Sequence, residues 1–194
     1  MKYDPDTHHR RSIRLKDYDY SRNGAYFLTL CTFDRGCYFD QFPQLRKIVG
    51  NQWHGILERF HNVILDEYVI MPNHFHGIII IRDDQNDCRD TPCGYPLPMQ
   101  QRKDALQNRH LGDIVGAFKS ICVNSWLKVI AAENINARGK FWQDNYFEHI
   151  IRNDYEMNRI RRYIADNPFQ WEFDRENPTS DKFVHPKQTE KWMI

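Results

Sequence analysis

Apolar residues recur along this chain in two rhythms, and together they predict its elements. From Ala25 to Phe33 the run Tyr-Phe-Leu-Thr-Leu-Cys-Thr-Phe is aromatic and β-branched with no polar face, which predicts a strand buried on both sides of a sheet. Phe42, Leu45, Ile48, Val49, Trp53, Ile56, Leu57 and Phe60 then return at three- and four-residue steps, the period of an amphipathic helix. Two short apolar runs follow, Val63 to Met71 and His74 to Ile81. Pro72-Asn73 between them is turn chemistry, so a β-hairpin is expected. Residues 82–110 are polar and hold Pro92, Gly94, Pro96 and Pro98 close together, which reads as a long loop insertion.

A second helix is predicted after Asp113, read as its N-cap, with Ile114, Val115, Phe118, Ile121, Cys122, Trp126 and Ile130 on the buried side. Phe141 to Ile151 is aromatic and β-rich and reads as a strand. Asn153 and Glu156 have capping-box spacing for a third helix through Met157, Ile160 and Ile164. Asn167-Pro168 should end it, because a residue before proline is pushed out of the helical region. Residues 174–194 read as a polar tail. The order strand, helix, hairpin, helix, strand, helix predicts an α+β domain over 1–173, with helices packed on an antiparallel sheet.

Composition narrows the function classes. Hydrophobic residues make up 41% and aromatics 14% of 194, enough for a packed core. Lys+Arg total 27 against Asp+Glu 26, a formal net charge of +1, which gives no support to bulk attraction to nucleic acid, so any DNA contact must rest on local patches. Arg10, Arg11, Arg14 and Lys16 beside Tyr18 and Tyr20 have the mix of cations and rings suited to single strands, or are an ordinary solvated terminus. No run approaches the roughly 18 apolar residues of a membrane span, and residues 1–5 carry no signal core. Five cysteines at irregular spacing are expected to be free thiols in a reducing cytoplasm; Cys88 and Cys93 lack the second pair that a structural zinc needs.

The chemistry concentrates in two segments. His74 and His76 flank Phe75 within an apolar strand, so alternation puts both imidazoles on one face, roughly 7 Å apart at the backbone. They can converge on one metal, or be two inert, hydrogen-bonded histidines near a turn. Arg159, Tyr163 and Asn167 lie at four-residue steps, on one face of the third helix. Two imidazoles and the Asn167 amide oxygen leave positions open on a six-coordinate ion, and Mg²⁺ or Mn²⁺ suits such a mixed site. A phenol with a pKa near ~10 is a poor nucleophile unless a metal beside the phosphate assists it. The competing reading of Tyr163 is a surface aromatic packed beside Ile160. Tyr155 has Arg159 rather than an amide four residues on, and Tyr146 sits in an aromatic strand where packing is expected. His149 is either a further ligand or a structural histidine.

Met71-Pro72-Asn73-His74-Phe75-His76-Gly77 resembles the metal motif of the HUH single-strand nucleases. Arg162-Tyr163-Ile164-Ala165-Asp166-Asn167-Pro168 resembles the tyrosine helix of their one-tyrosine branch. With Arg10 to Lys16, Gly24 to Phe27, Ile114 to Ser120, Phe141-Trp142-Gln143 and Tyr146 to Arg152, the sequence from about Arg10 to Trp171 is similar to the REP-associated tyrosine transposases. These are relatives of the transposases of small single-strand insertion sequences. The resemblance implies a central antiparallel sheet with a ferredoxin-like, RRM-like core, His74, His76 and Asn167 as ligands of Mg²⁺ or Mn²⁺, and Tyr163 as nucleophile. It further implies a 5′-phosphotyrosine intermediate on single-stranded DNA beside imperfect, REP-like hairpins, in a bacterial cytoplasm at the nucleoid. Monomer and homodimer both stay open. Asn at position 167, where insertion-sequence relatives often carry Gln, favours the REP-associated branch. Lys119, Arg159 and Arg162 join the N-terminal basic residues as candidate DNA contacts. Two alternatives remain: a non-catalytic DNA-hairpin binder, and a metal hydrolase using His74, His76 and His149.

Overall fold

The computed structural model of the chain describes residues 23–82, 110–174 and 176–180. The fold is α+β, a four-stranded antiparallel sheet with helices packed on it. The strands are β1 (Gly24–Cys31), β2 (Val63–Ile70), β3 (His74–Ile81) and β4 (Phe147–Ile151), in the order β2-β3-β1-β4. The helices are α1 (Tyr38–Gln41), α2 (Pro43–His54), α3 (Leu111–Glu133) and α4 (Asp154–Asp166), and a 3₁₀ segment, Asn167–Phe173, follows α4. β1 and β3 are the unbroken apolar runs and take the two central places, where both faces are covered.

Side-chain alternation divides the core between the two faces of the sheet. On one, Tyr26, Leu28, Leu30, Phe75, Ile79 and Ile81 pack with α2 and α3 around the buried rings of Trp53, Trp126 and Trp142. On the other, Phe27, Ile78 and Ile151 meet Ile160 and Ile164 of α4. Gly77 makes the first packing possible: a Cβ there would lie 2.8 Å from the rings of Trp53 and Phe75, so the indole can approach only a bare strand.

Several elements differ from their sequence-based expectation. α2 stops at His54, and Ile56 and Phe60 reach the core from turns rather than from a continued helix. Asp113 does not cap α3 from outside; it is the third helical residue, and its carboxylate accepts the His110 N–H at 3.1 Å. α3 is, by length and composition alone, long and apolar enough to cross a membrane, but its Leu111, Ile114, Val115, Phe118, Cys122 and Trp126 are buried in the core. Only Phe147–Ile151 of the expected fourth strand is regular. Phe141 and Trp142 are buried in irregular chain held to the end of β1 by a Thr32–Trp142 bridge. Their aromatic character marks burial, with pairing limited to that bridge.

Asn153 caps α4 as expected, its side chain accepting the Glu156 N–H at 2.9 Å. At the other end Asn167 keeps helical angles (φ −55, ψ −42), so the pre-proline bias is overridden. Pro168 falls in the first turn of the 3₁₀ segment, where a missing N–H costs nothing. The helical path therefore continues past Asn167, and the chain to Asn177, which is 6% exposed, packs back onto the body. The expected tail from residue 174 begins with docked chain.

Candidate functional site

The site lies on the α4 face of the sheet. β3 starts at His74, so His74 and His76 both point to that face while Phe75 enters the larger core. Antiparallel register sets His76 opposite Thr29 and His74 opposite Cys31. The two imidazoles are 4.5 Å apart at their centroids and almost fully buried, 0% and 2% exposed.

The turn before β3 decides which nitrogens they present. Asn73 Nδ2 donates to the carbonyls of Arg35 (3.0 Å) and Glu176 (2.6 Å), so its Oδ1 must be the atom 2.9 Å from His74 Nδ1. His74 then carries its proton on Nδ1 and leaves the Nε2 lone pair bare. That nitrogen has no hydrogen-bond partner among the described residues. Thr29 Oγ1 sits 2.9 Å from His76 Nδ1 and can hold the second ring in the same tautomer. Burial, and secondarily the Arg35 guanidinium, push His74 down to about 3; burial and the neighbouring His74 push His76 well below the usual histidine range. Both rings are therefore neutral at ordinary pH, the form in which imidazole binds metal.

α4 brings the tyrosine. Tyr163 is half-buried, with its hydroxyl 3.4 Å from His76 Nε2. Phe27 stacks on His76 at 5.1 Å and meets the Tyr163 ring edge-on at 6.0 Å, a wedge that fixes both rings. One turn later Asn167 is 3% exposed, and its Oδ1 has no hydrogen-bond partner among the described residues. A buried polar atom left so costs about 1–3 kcal/mol. An amide oxygen and a bare imidazole nitrogen are donors that a divalent cation would take, so the residues present fit such an ion.

The remaining candidates separate. Arg159 is half-buried one turn before Tyr163, and Arg162 is exposed. Lys119 is on α3, across the sheet from Tyr163, and its ammonium donates to the carbonyls of Gln143 and Asp144. Arg10, Arg11, Arg14 and Lys16 lie outside the described residues, as do Cys88, Cys93 and most of the 82–110 insertion. Tyr155 is 79% exposed and Tyr146 packs on the larger core. His149 Nε2 is bound to Glu156 Oε1 at 2.8 Å, and that carboxylate also accepts the Arg152 N–H, so His149 is committed away from the other two histidines. The hydrolase alternative loses its third ligand. Sequence reasoning missed Thr29 and Phe27, as well as Asp174, whose Oδ2 stands 3.8 Å from His74 Nε2. That pair is no salt bridge, because His74 is neutral.

No protein-family model matches the sequence. An uncharacterized protein of Haemophilus influenzae is 39% identical over 186 residues, which cover 90% of this chain and 96% of that one. The chain belongs to that protein's family. Among solved structures it is similar to a REP-associated tyrosine transposase bound to a REP hairpin, at 19% identity and TM-score 0.43 over 80% of this chain and 74% of the other. It is also similar to a Deinococcus radiodurans protein described provisionally as a transposase, at 16% identity and TM-score 0.42 over 79% and 95%. Both scores lie below 0.5, so neither likeness bears on what this family member does.

Proposed function

We propose that the chain is a metal-dependent single-strand DNA endonuclease and strand transferase, with Tyr163 as nucleophile and His74, His76 and Asn167 holding Mg²⁺ or Mn²⁺. One observation carries the reading: a half-buried phenol stands 3.4 Å from the Nε2 of a neutral, buried imidazole. Two further metal-donor atoms are buried and satisfied by no described residue: His74 Nε2, on the ring 4.5 Å from His76, and Asn167 Oδ1, one turn after Tyr163. A bound cation would neutralise charge developing on a phosphate and favour the ionised phenol.

The chain's own part is positioning. Asn73 fixes the His74 tautomer, Thr29 holds the His76 ring by its Nδ1, Phe27 packs against the rings of His76 and Tyr163, and α4 carries the phenol to His76 Nε2. The Tyr163 oxygen bonds to phosphorus and loses its proton to solvent. The P–O3′ bond breaks, and the departing oxygen takes up a proton as a 3′-OH. The resulting phosphotyrosine keeps the energy of the broken diester, so a second 3′-OH can reverse the step without ATP. The motif resemblance extends the reading to single strands beside hairpins, with Arg159 and Arg162 next to the nucleophile as phosphate contacts.

The test is direct. Incubation with a single-stranded hairpin oligonucleotide and Mn²⁺, followed by denaturation, should yield a covalent protein–DNA adduct. It should vanish in Tyr163→Phe and under chelation, and perfect duplex should be a poor substrate. A gel shift with no cleavage under any metal would instead mark a non-catalytic binder.

A further inference from the structure

The chain leaves β1 beside the site through two consecutive residues in the left-handed region, Asp34 (φ 50°) and Arg35 (φ 54°). Neither is a glycine, and such angles persist only where the surroundings impose them. Here they do. Thr32 Oγ1 lies 2.7 Å from Gly36 O and 2.9 Å from Asn73 O, and the Arg35 N–H donates to Thr32 O at 3.1 Å. Asn73 Nδ2 donates to Arg35 O at 3.0 Å, while its Oδ1 orients His74. One buried side chain therefore sets both the strained turn and the imidazole.

The Arg35 side chain stays at the His74 end of the α4 face. Cys31, opposite His74 in the register, has its Sγ 3.6 Å from Glu176 Oε2, and that same oxygen stands 3.0 Å from Arg35 Nε. The pairing leaves capacity. A guanidinium carries five N–H donors, the terminal nitrogens of Arg35 make no hydrogen bond to a described residue, and the side chain is 49% exposed. Charge gives the arrangement a purpose. Asp174 Oδ2 is 3.8 Å from His74 Nε2 and Glu176 follows two residues later, so a phosphodiester arriving at this end meets two carboxylates. Like charges repel, and a permanently charged, planar fork offsets that repulsion while offering donors to phosphate oxygens. No basic run marks the residue in the sequence, where it stands alone between Asp34 and Gly36. We propose that Arg35 binds a backbone phosphate of the single strand that reaches Tyr163, an inference that rests on the nuclease reading above.

The experiment is equilibrium binding of a fluorescent single-stranded hairpin oligonucleotide to the full chain, read by anisotropy without metal between about 50 and 200 mM salt. On single strands each neutralised phosphate adds about 0.7 to the slope of log affinity against log salt. Arg35→Gln should lower that slope by about 0.7. Arg35→Lys should keep it, because a point charge still neutralises a phosphate. Lys128→Gln, on the exposed side of α3 across the sheet from Tyr163, should leave it unchanged. A purely structural role would make Arg35→Gln and Arg35→Lys fail alike, since neither rebuilds the fork beside Glu176, and that result overturns the proposal. So does a wild-type slope in Arg35→Gln, or an equal fall in Lys128→Gln; Tyr163-dependent adduct formation by the wild type would then keep the nuclease reading alive. If the wild type neither binds nor cuts the oligonucleotide, both fall.

Discussion

The two faces of the sheet are built to opposite rules. The α2–α3 face is thick and apolar, with three buried tryptophans interlocked with Phe39, Phe75, Phe118 and Phe141. The α4 face buries five apolar residues, Phe27, Ile78, Ile151, Ile160 and Ile164, and also leaves His74 Nε2 and Asn167 Oδ1 without a hydrogen-bond partner among the described residues. The same two strands, β1 and β3, supply both faces, so one face stabilises a geometry that the other uses. Natural folds break local rules where function requires it: the thick face leaves the indole N–H groups of Trp53 and Trp142 without partners among the described residues, but the atoms a cation would take, His74 Nε2 and Asn167 Oδ1, lie on the thin side.

The sharpest way to break this contrast is to exchange the kinds of damage. Tyr163→Phe should abolish adduct formation altogether. It should change unfolding free energy by less than about 1 kcal/mol, since the hydroxyl is half-buried and its bond to His76 is long. Trp53→Ala should do the reverse, destabilising the fold by about 3–5 kcal/mol while the remaining folded protein keeps its site. Urea unfolding paired with the adduct assay measures both. A Trp53 variant that folds normally but cannot cut would show that the two faces are not separable.

Acid should find the thin face first. His74 is held down to about 3 and His76 well below its ordinary value, so the unfolded chain takes up protons below about 6.5 while the folded rings stay neutral. The stability owed to these neutral rings is complete above about pH 6.5 and is lost as pH falls toward 3. At about 1.4 kcal/mol per pH unit and ring, the loss for His74 alone between pH 6.5 and 4.5 is on the order of 2 kcal/mol. His74→Gln should flatten this stretch of the melting-temperature profile. An unchanged slope would mean that the ring is not buried neutral.

Gly77 sits where the faces share a backbone. A Cβ there meets the Trp53 and Phe75 rings at 2.8 Å, so Gly77→Ala should cost about 1–3 kcal/mol through the thick face. Its neighbour His76 faces the other way, and metal titration of the variant should change far less than its melting temperature does.

How much of this was legible beforehand follows from the range of each interaction. The His-Phe-His pair, the hairpin around Pro72-Asn73 and the four-residue step from Tyr163 to Asn167 depend on local periodicity, and the structure reproduces that periodicity. Asp113 was misassigned because an N-cap and a third helical residue three positions on are similar polar signals, and His110 is a weak cap to read. Phe141 and Trp142 looked like a strand because burial and pairing draw on the same residue types. Asp174 was invisible for another reason. Its approach to His74 depends on Asn167 staying helical before proline and on Glu176 reaching Asn73 and Arg35, contacts that span more than 100 residues and have no periodic mark.

The smallest effect tests how firmly the thin layer is fastened. Arg161 makes a two-pronged bond from α4 to Asp66 of β2, Nε to Oδ1 at 2.8 Å and Nη2 to Oδ2 at 2.6 Å. Asp66 lies at the bulge between Leu65 and Tyr68, where the ladder to β3 is interrupted, and this contact ties the tyrosine helix to the sheet edge. Arg161 is 42% exposed, so water screens the pair, and Asp66→Asn should cost only about 0.5–1 kcal/mol. Its larger consequence should be local: amide exchange in α4 should quicken relative to β1 and β3, because the helix is otherwise fastened by the few apolar residues of the thin core, by Glu156 to His149 of β4 and by the long Tyr163–His76 contact. Equal protection of α4 in the variant and the wild type would mean that Ile160, Ile164 and the Glu156–His149 bond hold the helix without Asp66, and that the thin face is stiffer than its packing suggests.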